Sequence, residues 1–125
     1  MNTKEKIRKE ALRQFNHYGT EATTVRSIAS AISISHGNLC YHYKNTDELI
    51  IALYYDLVSA TNHFAQEVER AESGFDMILE SAYQTMYQLS KYKFLIKDFN
   101  TIARNIPAVK THFSELTKIR RSQFI

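Results

Sequence analysis

Only three glycines and one proline punctuate the 125 residues, and this scarcity limits the accessible folds more than any other feature of the sequence. Sandwiches, barrels and α/β proteins need Gly and Pro for many tight turns. So few breakers leave long helices with few interruptions. A hydrophobic fraction of 44%, with aromatics at 12%, is ample for a buried core and argues against disorder. The length suits one compact domain, or a small head joined to part of a second.

Apolar spacing places the helices. Ile7, Ala11, Leu12 and Phe15 recur at helical intervals from Thr3 to Tyr18, and Gly19 sits where a residue with no Cβ ends a helix. Thr23 or Thr24 can cap a second, short helix carrying Val25, Ile28, Ala29 and Ile32. Ser33-Ile34-Ser35 interrupts it, and Ser35 is placed to cap a third short helix through Leu39 and Tyr43. Asn45-Thr46-Asp47-Glu48 then combines a capping oxygen with first-turn acids, a favourable start for a long helix to about Ala71. Its expected inner side is Leu49, Ile50, Leu53, Leu57, Phe64 and Val68, and Ser73-Gly74 breaks it.

Beyond the break, Phe75, Ile78, Leu79, Ala82, Met86 and Leu89 mark a helix to about Ser90. One further helix carries Phe94, Leu95, Phe99, Ile102 and Ala103. Pro107 fits the first turn of a last helix with Val109, Phe113, Leu116 and Ile119 inward. The body aromatics, Tyr54, Tyr55, Phe64, Phe75, Tyr83, Tyr87, Tyr92, Phe94, Phe99 and Phe113, are expected to be mostly core. The chain stops at Ile125 without a cap, a glycine or a polar tail, so the expectation is either a last helix that ends raggedly or a body that is truncated.

Charge is distributed unevenly. No acidic residue lies between Glu21 and Asp47, a window that holds Arg26, His36, His42 and Lys44. Residues 51–80 instead carry Asp56, Glu67, Glu69, Glu72, Asp76 and Glu80 against Arg70. A segment without carboxylates can approach a phosphate backbone unopposed, and the acidic one cannot. The net charge of +3 decides little by itself. The single cysteine, Cys40, excludes an intrachain disulfide framework. With a charged N-terminus and no apolar run of membrane-spanning length, the expected location is the cytoplasm.

Two short helices joined by a tight turn, the second opening with small polar residues, fit a DNA major groove. The first braces the second, whose N-terminal residues meet base edges. Here those residues are Ser35, His36, Gly37 and Asn38. Asn38 can read adenine through its amide, and His36 can donate to a guanine acceptor or a phosphate. The competing reading is that His36 and Asn38 merely cap and solvate the helix. One turn later, Tyr41 and His42 offer a hydroxyl and a ring N–H at backbone height.

The run from Thr23 to Ile50, TTVRSIASAISISHGNLCYHYKNTDELI, resembles the head of the TetR family. That head has a Thr-capped helix, an Ala-Gly-Val-Ser turn, Gly-x-Leu-Tyr-Tyr-His-Phe, then Lys and an acidic helix start. Thr24, Ile28, Ala29, Ile34, Ser35, Gly37, Leu39, Tyr41, His42, Lys44, Glu48 and Leu49 match it, and Phe15 and Gly19 extend the likeness over residues 3–50. The resemblance implies that Thr24, Arg26, Tyr41, His42 and Lys44 contact phosphate and that His36, Gly37 and Asn38 approach bases. For Arg26, a surface ion pair with Glu21 is the alternative. Three positions depart from the pattern. Ser33 replaces the turn glycine, so it must tolerate a strained backbone or the turn must differ. Cys40 replaces a tyrosine, packing inward or contributing little, and Thr46 replaces a lysine that clamps the backbone.

The expected architecture is therefore all-α: a homeodomain-like three-helix DNA-binding head, residues 1–46, and a helical ligand and dimerisation body, residues 47–125. The resemblance implies a regulator, a homodimeric repressor of a palindromic double-stranded operator released by a small-molecule effector. His63, Tyr83 and Tyr87 are the candidate effector contacts. The alternative is a helical protein-interaction module that keeps the head without reading DNA. His36 and Cys40 have metal-ligand spacing, but His42 should face elsewhere, so no metal site is expected. No paired carboxylates, activated nucleophile or glycine-rich phosphate loop suggests an enzyme, and no cofactor is implied.

Overall fold

A computed structural model of the chain describes residues 1–70 and 74–124, with side chains at 1–62 and 74–119. The described residues form eight α-helices and no strand: α1 (Thr3–Tyr18), α2 (Val25–Ala31), α3 (His36–His42), α4 (Thr46–Arg70), α5 (Phe75–Lys91), α6 (Lys93–Lys97), α7 (Phe99–Asn105) and α8 (Pro107–Phe124). None of the described helices is long and apolar enough to cross a membrane.

Side-chain caps set the head's boundaries. Asn2 accepts from the Glu5 N–H to open α1, and Gly19, at φ 87°, closes it with a bond from its N–H to the Phe15 carbonyl. Thr24 and Ser27 exchange reciprocal bonds at the start of α2, each side chain accepting from the other's backbone N–H at 3.0–3.1 Å. Ser35 accepts from the Asn38 N–H to start α3. At the start of α4 the Asn45 side chain accepts from the Glu48 N–H, while the Glu48 carboxylate accepts from the Lys44 N–H at 2.7 Å.

One continuous core joins head and body. Ile7, Ala11 and Phe15 from α1, Ile28 and Ala29 from α2, and Leu39 from α3 are buried with Leu49, Ile50 and Leu53 of α4. The same cluster continues through Tyr54, Leu57, Phe94, Leu95, Ile102, Ile106 and Val109. The side chains of Phe64 and Val68, assigned from the sequence to the inner side of α4, lie outside the described residues, as do Ala71 and Ser73.

Four sequence expectations need correction. The helix expected over Phe94–Ala103 is two, because Asp98 (φ −110°, ψ 21°) leaves helical geometry and redirects the chain between α6 and α7. The apolar stripe of α5 is not core: Phe75, Ile78, Leu79 and Met86 are all more than half exposed, and no residue of α5 is fully buried. The body aromatics follow suit. Among those whose side chains are described, only Tyr54 and Phe94 are buried; Tyr92 and Phe99 are half-buried, and Tyr55, Phe75, Tyr83, Tyr87 and Phe113 are exposed. In α8 the expected inward row holds for Val109, but Phe113 and Ile119 face solvent and Leu116 is half-buried. The common cause is one-sided packing. Helical periodicity identifies an apolar face but not whether a second layer covers it.

Candidate nucleic-acid interface

The exposed first turn of α3 is built on a buried underside. Leu39 is completely buried and anchors α3 in the core, while Tyr43, just past its end, is buried at the junction with α1. One side of a two-turn helix is thus fixed, and the other faces outward. There the structure brings His36, Gly37 and Asn38 together, all exposed, in the first turn of α3. Tyr41 stands beside them 85% exposed, with its ring edge-on to the half-buried His42 at 5.2 Å. An aromatic that far out of the core gains nothing from folding.

Three of the expected phosphate contacts, Thr24, Arg26 and Lys44, are exposed on the same head. Thr24 is exposed at the start of α2. Its hydroxyl oxygen accepts the capping bond, which leaves the O–H free to donate outward. Arg26 is exposed on α2, and the two described ion pairs, Arg8–Asp56 and Arg13–Glu10, do not include it. The alternative pairing with Glu21 is therefore not formed. Lys44 is exposed just beyond α3. Ser35 spends its acceptor on the cap and also keeps its O–H.

The departures from the family pattern have structural outcomes. Ser33 takes φ 58°, the left-handed conformation a turn glycine would adopt without strain. Cys40 is half-buried, its Sγ 3.6 Å from Nε2 of His36, so it touches a neighbour on its own helix. Among the described residues no group of three or more His, Cys, Asp or Glu side chains gathers to hold a metal. Thr46 is the first residue of α4.

The bracing of α2 and α3 was not read from the sequence. Gln14 of α1 is buried, with Oε1 2.7 Å from the Ser27 hydroxyl and Nε2 donating to the Ser27 carbonyl and to Glu10. It thereby locks the start of α2 onto α1. A lone amide within the apolar row Ile7–Ala11–Phe15 was the available signal. The Arg8 guanidinium donates to the Tyr43 hydroxyl at 2.9 Å and pairs with Asp56 of α4 at 3.1 Å, fixing the end of α3 to both α1 and α4. Bonds from Arg13 hold the Glu10 carboxyl below its ordinary range.

Tyr83 and Tyr87 are exposed on α5, and the His63 side chain lies outside the described residues. A cavity of about 330 Å³ opens elsewhere in the body, lined by Tyr54, Thr61, Thr85, Leu95, Phe99 and Phe113 among others. None of its described lining residues is charged. The Tyr54 hydroxyl at its edge lies 2.9 Å from Nδ1 of His112.

Two comparisons bear on this arrangement. The family model described as bacterial regulatory proteins, tetR family, matches residues 7–53, the span from the first buried residue of α1 to the first turns of α4. A crystal structure of a TetR-family transcriptional regulator from Marinobacter aquaeolei VT8 superimposes with a TM-score of 0.87 at 24% identity. The likeness, one of fold, covers 94% of this chain and 58% of that one, so the present chain spans a little over half the length of that regulator. The head thus matches the tetR family model over residues 7–53, and the chain as a whole shares the helical fold of that regulator.

Proposed function

We propose that this chain is a sequence-specific DNA-binding transcriptional regulator that acts as a homodimeric repressor. The observation that carries the reading is the exposed first turn of α3, where His36, Gly37 and Asn38 stand clear on a helix whose other side is pinned by Leu39. A short helix held in this way can enter a major groove and present polar groups to base edges. Thr24, Arg26, Tyr41, His42 and Lys44 flank it as backbone contacts that fix register, and Ser35 starts the helix. One such helix reads only a few base pairs. A two-fold dimer on a palindromic operator doubles the contact, which supports the homodimer.

Release by a small molecule is part of the same proposal. The body cavity, lined by Tyr54, Thr61 and Thr85 among otherwise apolar residues, suits a neutral, largely apolar effector. Binding there would shift the population of head orientations.

The test is the salt dependence of binding to random-sequence duplex. Arg26 and Lys44 in each of two heads, at about −0.9 per neutralised phosphate, give an expected slope of log K against log salt of about −3.6. No measurable binding at low salt would sink the DNA reading. The exposed apolar face of α5 would then favour the second reading, a helical protein-interaction module.

A further inference from the structure

The junction between α5 and α6 has no capping side chain of its own. Tyr92 is both the last cap of α5 and the first of α6, and it makes no side-chain capping bond to α6. Such a junction leaves carbonyls from the first helix and N–H groups from the second without intrahelical partners. One side chain from the head answers both. Asn16 of α1 donates through Nδ2 to the carbonyl of Lys91, the last residue of α5, at 2.8 Å. Its Oδ1 accepts from the N–H of Phe94, the second residue of α6, at 3.0 Å. The amide's donor and acceptor are thus divided between two helix ends more than seventy residues away in sequence.

The surroundings make this contact consequential. Phe15, next to Asn16, stacks on Phe94 at a ring distance of 5.0 Å, and both rings are buried. The following residues of α6, Leu95 and Ile96, line the body cavity. One turn of helix therefore touches the head through Phe94 and the cavity through its next two residues. Between the Asn16 contacts sits Tyr92, whose phenol is pushed up by burial and then by the charge of Asp56, the residue that pairs with Arg8 of α1. The α1 helix thus grips the body at two places, Arg8 and Asn16, about two turns apart.

We propose that Asn16 is a positioning residue that caps the α5–α6 junction from the head and so ties the orientation of the head to α6. A displacement of α6 changes the Asn16 contacts directly, and α1 carries the change to α2 through Gln14 and Ser27. The functional meaning rests on the DNA-binding reading, but the contact itself is measured without DNA.

The experiment uses the full chain with Cys40→Ser and spin labels at Ser30→Cys in the head and Lys110→Cys in the body, both exposed positions. Pulsed dipolar spectroscopy should give a narrow distance distribution in this background and a broadened or shifted one after Asn16→Ala. Asn16→Asp keeps an acceptor for the Phe94 N–H and should return the distribution toward the starting one. Amide exchange at Phe94 should rise about fivefold in Asn16→Ala, as loss of one ordinary hydrogen bond predicts, while exchange at Leu39 stays unchanged. Superimposable distributions for the background and Asn16→Ala would overturn the assignment. So would a parallel rise at Leu39, which would mark general loosening of the head. If Asn16→Ala does not fold, Asn16→Asp decides: a distribution unlike the starting one shows that the capped acceptor alone does not position the head, and the proposal fails. Binding to random duplex at low salt should be equal in Asn16→Ala and the parent, since Asn16 lies outside the proposed phosphate contacts; loss of that binding in both would count against the DNA reading and leave the distance result standing.

Discussion

At the scale of single residues, the interface separates into side chains that hold the helix and side chains that are left over. Ser35 and Thr24 do both, since each uses an oxygen lone pair for a cap and retains a proton to donate. Asn38 and Lys44 are exposed, and their substitution should separate specificity from affinity. Asn38→Ala is expected to lose preference among base sequences, worth about 1–3 kcal/mol for one amide–adenine pair. Lys44→Ala should weaken all duplexes alike and reduce the salt slope by about 1 per head. Titrations of a selected site and a scrambled one at several salt concentrations distinguish the two. Equal losses on both sequences for Asn38→Ala would remove it from the base-reading set.

At the scale of elements, two positions carry backbone costs that can be relieved separately. Ser33 holds φ 58° in the turn between α2 and α3, a conformation that costs an L-residue about 1–2 kcal/mol. Ser33→Gly removes that strain but loosens the unfolded chain. A net gain of about 0.5–1 kcal/mol is expected, read as a higher urea midpoint with the same m-value. Gly37 presents the opposite case. A Cβ there would meet nothing within 4 Å, so Gly37→Ala should raise the helical stability of α3 by about 0.5–1 kcal/mol. If the first turn of α3 enters a groove, the same methyl should weaken duplex binding. Stability and affinity would then move in opposite directions, and unchanged affinity would place Gly37 away from the DNA.

At the scale of the whole molecule, apolar character and burial part company. Phe94 is buried against Phe15 where head meets body, whereas Ile78 on α5 is 54% exposed. Phe94→Ala should therefore cost about 3–5 kcal/mol, and Ile78→Lys should stay within about 0.5 kcal/mol of the parent. Chemical denaturation of the two variants checks both. A large loss for Ile78→Lys would mean that α5 is covered in solution.

The sequence alone determined the head. Its signals are local: caps at Thr24, Ser35 and Asn45, a breaker at Gly19, and apolar residues repeating over one or two turns. Local hydrogen bonding and helical period act through neighbours in the chain, so α1 to α3 and the start of α4 were legible, and of the two outcomes expected at Ser33 the strained backbone is the one observed. Tertiary structure alone decided the rest. Whether the stripe of α5 faces core or solvent depends on a second layer, and no pattern within α5 encodes it. The bonds from Arg8 to Asp56 and from Asn16 to Lys91 and Phe94 join residues distant in sequence, and only packing brings them within reach. The body cavity arises in the same way, lined from several helices, and for that reason Tyr83 and Tyr87, put forward from the resemblance and their polar tips, are not among its described lining residues.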